Sequence, residues 1–166
     1  MGRRASGRDG AVEPEIVERG QLLLVGRFAH AGYADIGPLW EAFSAEEPQV
    51  PAAVPGAAYE LHEYPPGYRC GDRFWLHIGL EVTHLEPLPP PMAAKLLPPQ
   101  RYAVFTHRLA DGGFEGANQP IADWFATATY EPAADYDLQV YDERFHGPDD
   151  PGSLVAFWVP VRPKAT

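Results

Sequence analysis

The sequence contains few of the residues that mark secreted, membrane-bound or nucleic-acid-binding proteins. Cys70 is the only cysteine among 166 residues, which excludes an intramolecular disulfide and a thiolate metal cluster and fits a reducing cytoplasm. Lys95 and Lys164 are the only lysines, and 13 basic side chains stand against 23 acidic ones. Because the net charge of -10 repels nucleic-acid phosphates and anionic membranes, we expect a neutral or cationic partner and no direct DNA binding.

Long apolar runs are also missing. The longest one near the N-terminus covers only residues 22–25, too few for a signal-peptide core or a membrane span, so no membrane association is predicted. The chain is instead rich in proline, with 19 residues, and it has 4 tryptophans. Its 45% hydrophobic and 22% charged residues are ordinary for a folded protein, and its length predicts a single domain.

Proline divides the chain into two halves. Residues 87–99 are proline-rich and predict a stiff linker, because proline fixes φ and lacks a backbone N–H. The flanking halves, 14–86 and 98–163, are expected to form one domain over residues 14–166. Residues 1–13 are predicted to be a flexible leader.

The two halves repeat one order of elements. Apolar and alternating runs predict three strands in each half, at 21–28, 58–63 and 74–82 and at 101–107, 137–142 and 154–161. After the first strand of each half, apolar residues recur at helical spacing: Ile36, Leu39, Trp40 and Phe43, and later Ile121, Trp124, Phe125 and Ala128. We therefore predict an α+β fold built by tandem duplication, in which two β-α-β-β units form a curved sheet with two helices and a central ligand groove.

Five phrases occur in order along this frame. They are GPLWEAF (37–43), HIGLEV (77–82), YAVFTH (102–107), IADWF (121–125) and VPV (159–161). In order and spacing they resemble the GyrI-like family of small-molecule-binding domains, here in a stand-alone form. The same domain serves as the effector-binding domain of AraC-type and multidrug-sensing regulators.

The resemblance implies a groove in which a carboxylate meets bulky aromatic, often cationic compounds. The family often carries a glutamate in a Phe-Glu-x-Tyr phrase on the penultimate strand. Residues 138–141 read LQVY in this chain, so Gln139 replaces that acid, whereas the family's other frequent acid is retained as Glu81. A carboxylate among aromatic rings suits a delocalised cation, because the ring faces attract positive charge.

Strand alternation predicts which side chains line the groove. On the strand 74–82, Trp75, His77 and Glu81 share one face, which we expect to form the groove. Glu81 is then the expected counter-ion of a cationic ligand. The further candidate ligand-binding side chains are Tyr33, Gln139, Tyr141 and Trp158.

Other polar and aromatic side chains have structural interpretations. Glu60 and His62 are expected to mirror the Gln-x-Tyr pair of the corresponding later strand. Trp40 and Trp124 lie on apolar helical stripes, so we expect them to be mainly core packing that also borders the groove. The spacing of the 6 histidines is generic, so we predict neither a metal site nor a cofactor.

Three functions fit these observations. The first is a binding protein that holds aromatic, cationic, drug-like compounds. The second, which the resemblance implies, is a hydrolase that opens cyclopropanoid DNA-alkylating natural products, with Glu81 as general base and Tyr141 or Tyr33 polarising the substrate. The third is an inhibitory protein that docks on a larger enzyme such as gyrase through an exposed surface.

Overall fold

The structure, a computed structural model, describes residues 13–166, and residues 1–12 of the predicted leader lie outside the described part. This described part contains two α-helices, α1 (Ile36–Glu46) and α2 (Asn118–Thr127), and nine strands. The strands are β1 (Glu15–Arg19), β2 (Leu22–Ala31), β3 (Ala58–Glu63), β4 (Phe74–Glu81), β5 (Ala93–Leu97), β6 (Gln100–Arg108), β7 (Tyr130–Pro132), β8 (Tyr136–Tyr141) and β9 (Leu154–Pro163).

The strands form one antiparallel sheet in the order β1-β6-β9-β8-β3-β4-β2-β5, and β7 pairs with β9. The first unit is β2-α1-β3-β4. The second unit is β6-α2-β8-β9, with β7 inserted after its helix. Because β3 pairs with β8, the two units join at the middle of the sheet. The predicted α+β class, with a curved sheet and two helices from β-α-β-β units, is confirmed.

Both helices pack apolar side chains on the same face of the sheet. In α1, Phe43 is fully buried and packs in one cluster with Leu76 and Ile78 of β4. In α2, Trp124 packs edge-on to Phe105 of β6, with ring centroids 5.5 Å apart. Neither helix, at 11 and 10 residues, combines the length and apolar character needed to cross a membrane, and no other helix in residues 13–166 does so.

Besides the apolar clusters under α1 and α2, a third cluster of buried side chains lies on the opposite face of the sheet. This cluster joins Leu61 of β3 and Leu138 of β8 to Leu97 of β5 and Tyr102 of β6. Since β5 ends the strand order on one side and β6 lies near the other end, the sheet must curl around the cluster to bring these side chains together. The two helices therefore lie on the convex side of the sheet.

The structure contains three strands that the sequence analysis did not predict. β5 lies inside the segment predicted as a linker, and it pairs with β2 between Leu22 and Gly26. Prolines on both sides of β5 obscured it, because proline cannot donate a ladder hydrogen bond and usually argues against a strand. β1 and β7 have only five and three residues, too few to show a clear alternation. The limits of the two halves stay a prediction.

Candidate ligand-binding groove

The central strands of the sheet lie between the two helices. α1 packs over β2 and β4, and α2 packs over β6 and β9, so β3 and β8 are left as a strip between them. We call this strip the central groove and define it by Glu60, His62, Gln139 and Tyr141. Glu60 of β3 and Gln139 of β8 are register partners at its centre, where the two units meet.

Glu60 is a buried carboxylate in the floor of the groove. Glu60 is only 2% exposed, and the Nε1–H of Trp40 donates a hydrogen bond to its Oε1 at 2.6 Å. The Nε2–H of His62 donates to the other carboxylate oxygen, also at 2.6 Å. The Tyr141 hydroxyl lies 3.5 Å from Oε1 and donates to the side-chain oxygen of Gln139 at 2.8 Å. The partners of this carboxylate are thus an indole, an imidazole and a phenol.

The alternation of β3 explains why these polar groups point into the groove. Tyr59 and Leu61 of β3 pack in the third cluster on the concave face, so Glu60 and His62 point toward the helices. Burying a carboxylate is costly unless hydrogen bonds compensate for lost water, and the contacts of Glu60 supply that compensation. The strand therefore places a hydrogen-bonded glutamate–histidine pair on the same face as the helices.

Trp40 covers Glu60 from above. Its indole packs edge-on to the ring of Tyr141, with centroids 5.1 Å apart, and it also meets Phe43 at 6.2 Å. Trp40 belongs to α1 and Tyr141 to β8, so this contact crosses from the first unit to the second. A ligand that touches the Glu60 carboxylate must displace Trp40 or Tyr141.

His62 lies between two carboxylates. It is 4% exposed, its ring stacks on Phe74 with centroids 4.7 Å apart, and its register partner on β8 is Asp137. Burial opposes protonation of the ring, but the hydrogen bond and charge of Glu60 and the charge of Asp137 outweigh it, so the pKa of His62 is raised. The imidazolium form is thereby more favoured than it is for a histidine in water.

Two further groups near the groove have raised pKa values. Burial is the main cause for Asp137, opposed by the charge of His62 and by a 2.8 Å hydrogen bond from the Tyr64 hydroxyl. Burial and then the charge of Glu60 raise the pKa of Tyr141 well above its ordinary value. The Tyr141 phenol is therefore protonated at neutral pH and acts as a hydrogen-bond donor.

A depression of about 340 Å³ adjoins the groove at the Tyr141 side. It is lined by Glu47, residues 53–58, Leu80 and Tyr141. Its volume falls at the small end of the range for ligand pockets, about 300–1,000 Å³. Of the four groove residues, Tyr141 lines this depression.

The predicted site residues are divided between the two faces of the sheet. Gln139 and Tyr141 lie in the central groove. Glu81 lies on the opposite face, where it pairs with Arg19 at 2.5 Å. The structure therefore does not bring Glu81 and Tyr141, the predicted general base and its partner, into one site.

Three more predicted residues share the face of Glu81. His77 is buried and its Nε2 meets the Ala93 carbonyl oxygen at 2.9 Å; burial lowers its pKa. Trp158 packs edge-on to Tyr102 in the third cluster. Trp75 is 41% exposed and stacks on Phe28. Any contact of Glu81, Trp75, His77 or Trp158 with a ligand stays a prediction.

The choice of face explains this separation. The sequence interpretation placed the groove on the face of the strand 74–82 that carries Trp75, His77 and Glu81, because that face is polar and aromatic. The opposite face of the sheet carries Glu60 and His62 of β3 and Gln139 and Tyr141 of β8, with Trp40 of α1 lying over Glu60. One signal could have identified Glu60, because antiparallel pairing of β3 with β8 places it opposite Gln139, which the family resemblance had already marked.

The two remaining aromatic candidates lie away from Glu60. Tyr33 is 55% exposed, packs on Phe74 and has its hydroxyl 3.2 Å from that of Tyr68. It therefore lies beyond the His62 end of the groove. Trp124 packs in the core cluster under α2. Within residues 13–166, no group of three or more His, Cys, Asp or Glu side chains is arranged to hold a metal ion.

The family model described as "Integron-associated effector binding protein" (Cass2) matches residues 24–161, so the chain belongs to this family. The effector-binding class predicted from the sequence is thereby confirmed, and the GyrI-like assignment within it stays a prediction.

One relative is a longer protein. The transcriptional regulator BrlR of Pseudomonas aeruginosa is 34% identical over 150 residues, which are 88% of this chain and 54% of BrlR. The chain thus spans about half the length of the relative that it matches.

Solved structures share the fold at low sequence identity. An integron cassette protein from the mobile metagenome of Vibrio cholerae has a TM-score of 0.61 and 18% identity, over 90% of this chain and 96% of that one. The structure of SAV2435 bound to tetraphenylphosphonium has a TM-score of 0.64 and 12% identity, over 90% of this chain and 94% of that one.

Proposed function

We propose that this domain binds an aromatic organic cation in the central groove, with the Glu60 carboxylate as the counter-charge. The observation that carries the proposal is the buried carboxylate, held by Trp40, His62 and Tyr141 at the junction of the two units. The fold likeness to SAV2435, whose structure contains tetraphenylphosphonium, supports this class of ligand.

The surroundings of Glu60 suit a delocalised cation. The faces of Trp40 and Tyr141 attract positive charge, and each such contact contributes about 0.5–2 kcal/mol. A carboxylate removed from water attracts a cation more strongly than an exposed one does. The net charge of -10 also raises the local concentration of cations around the whole protein.

The covered state of Glu60 requires a movement on binding. We expect the Trp40 indole to give up its hydrogen bond to Oε1 and turn aside, so that a ring of the ligand takes its place. The ligand's positive charge then compensates the carboxylate for the lost donor. The depression beside Tyr141 receives the rest of the ligand.

A titration with charged and neutral ligands of similar shape tests the proposal. Tetraphenylphosphonium and triphenylphosphine oxide are each titrated into the protein by calorimetry. We expect Glu60→Gln to lower the affinity for the cation about ten- to a hundredfold, because a hydrogen bond to a charged group contributes roughly 1.5–3 kcal/mol. The neutral ligand should bind Glu60→Gln and the wild type with similar affinity.

Glu81→Gln is the matched control, because it removes the same charge from the opposite face. It should leave the cation affinity within about twofold of the wild type, since the Glu81 charge is already neutralised by Arg19. Equal losses in the two variants would contradict a specific role for Glu60, as would equal losses for both ligands in Glu60→Gln. Thermal unfolding of each variant checks that the fold is retained.

A hydrolase is the second candidate. The observation that favours it is the Glu60–His62 pair, which places a proton acceptor in the same groove as the Tyr141 hydroxyl, a proton donor. In this version Glu60, rather than Glu81, activates the water that opens a cyclopropanoid ring. Product analysis after incubation with such a compound separates the candidates, because a binding protein returns the compound intact and Glu60→Gln abolishes turnover by a hydrolase.

A further inference from the structure

The groove already contains a group that can carry a positive charge. The His62 ring donates to one oxygen of Glu60 at 2.6 Å, and Trp40 donates to the other oxygen. An organic cation that replaces Trp40 comes to the same carboxylate that holds His62. Two positive charges would then contact the same carboxylate.

None of the other described groups around this pair is a carboxylate that forms a hydrogen bond to His62 as Glu60 does. The titratable side chains facing the Glu60–His62 pair are Tyr64, directly after β3, and Asp137 and Tyr141 on β8. β4 contributes the uncharged ring of Phe74, and α1 contributes the uncharged indole of Trp40. Asp137 is paired with His62 across the two strands, and its carboxylate accepts a hydrogen bond from the Tyr64 hydroxyl.

We propose that an aromatic cation entering the central groove expels a proton from His62, so that the site exchanges one cation for another. The inference rests on the proposed function of the groove. Before binding, the His62 imidazolium is the partner of Glu60. On binding, the ligand brings one positive charge to Oε1, the Nδ1 proton of His62 passes to solvent, and the neutral ring keeps its Nε2–H bond to Oε2. One positive charge enters the groove as one leaves.

The groups around His62 control its pKa before and after the cation binds. Burial opposes protonation, but Glu60 and Asp137 together raise the pKa of the free-state ring. A cation beside Glu60 lowers that pKa again, since like charges disfavour each other at short range. By linkage, the affinity for the cation should rise with pH. The increase is about tenfold for each pH unit as long as the pH is below the free-state pKa of His62, and the affinity becomes constant above that pKa.

Calorimetry can count the expelled proton. Tetraphenylphosphonium is titrated at about pH 6, below the ordinary histidine pKa of about 6.5, in two buffers of different protonation enthalpy. We expect release of about one proton per bound cation from the wild type. His62→Gln, which can still donate to Glu60, should bind with no proton release and with an affinity independent of pH between about 5.5 and 8.

A second variant identifies the source of the proton. Asp137→Asn removes the other titratable neighbour across the strand pair, and we expect it to retain proton release. Binding to the wild type without proton release would overturn the exchange while leaving the proposed function intact. Release that persists in His62→Gln and disappears in Asp137→Asn would also overturn it.

Nuclear magnetic resonance gives an independent measurement on the same ring. At about pH 6, the Cε1–H signal of His62 should lie at the imidazolium position in the free protein and move to the neutral position when tetraphenylphosphonium is added. A signal that stays at the imidazolium position in the saturated complex contradicts the exchange. If no saturable binding of the cation occurs at any pH, the proposed function fails, and the exchange fails with it.

Discussion

Glu60 and Glu81 lie on adjacent strands of one sheet, but they face different surroundings. Glu81, on the concave face, has a 20% exposed side chain and meets the guanidinium of Arg19 at 2.5 Å. Glu60, on the convex face, is 2% exposed and accepts hydrogen bonds from Trp40 and His62. A guanidinium cancels a carboxylate's charge permanently, whereas an indole can turn aside and an imidazolium can lose its proton. The partner of a carboxylate therefore indicates a cation site better than the carboxylate itself.

The largest expected effect tests whether the two faces of β4 differ in burial. Phe74 is fully buried and stacks on His62, so Phe74→Ala should lower the free energy of unfolding by about 3–5 kcal/mol. Trp75, the next residue, is exposed on the other face and stacks only at the surface, so Trp75→Ala should cost about 1 kcal/mol. Urea unfolding of both variants measures the difference. Similar losses would mean that the two faces are equally buried at this point.

An intermediate effect sharpens the comparison by adding an acid to the convex face. Gln139 is the register partner of Glu60, so Gln139→Glu places a second carboxylate at the centre of the groove. We expect this variant to bind tetraphenylphosphonium about tenfold more tightly, equivalent to about 1.4 kcal/mol. It should also lower the stability of the ligand-free protein, because two carboxylates repel each other.

Gln21→Glu is the control for this variant. Gln21 is exposed in the turn between β1 and β2, and its substitution changes the net charge by the same amount. If it improved cation binding as much as Gln139→Glu does, total charge rather than the groove would be the cause. Calorimetric titration of both variants with the same cation decides between these causes.

The smallest expected effect concerns the ion pair on the concave face. Because Arg19 and Glu81 are both partly exposed, their coupling should be only about 0.2–1 kcal/mol. A double-mutant cycle with Arg19→Gln and Glu81→Gln, measured by urea unfolding, gives this value. A coupling energy above about 2 kcal/mol would mean that the Arg19–Glu81 pair behaves like a buried ion pair. Glu81 and Glu60 would then not differ in the way described above.

Much of the fold could be predicted from local patterns. The helical spacing of Ile36, Leu39, Trp40 and Phe43 corresponds to α1, and the strands of both units lie close to their predicted positions. These elements carry strong periodicity over several residues, which tertiary context seldom overrides. β5 lacks such a signal, because its five residues lie between proline-rich segments.

The site was harder to predict because it depends on which face of the sheet the helices leave open. Gln139 and Tyr141 were identified through the family resemblance; the pairing of β3 with β8 places Gln139 opposite Glu60, and a role of either residue in ligand binding stays a prediction. Glu60 was recognised only as a counterpart of that pair, and Glu81 was preferred as the ligand's partner. Glu60 and Glu81 face opposite ways because Glu60 pairs with Ile78 and Glu81 lies three residues further along β4, but only the placement of α1 and α2 shows which direction leads to the groove.

The pairing of β3 with β8 also determines when the groove can exist during synthesis of the protein. Glu60 and Trp40 emerge from the ribosome well before Gln139 and Tyr141, and these residues meet only after a long loop of chain has closed. Until β8 arrives, β3 lacks its partner on that side, and Glu60 has only the Trp40 and His62 contacts available within the first unit. The groove, which takes side chains from both units, is therefore completed at one late step, the pairing of β8 with β3, rather than gradually.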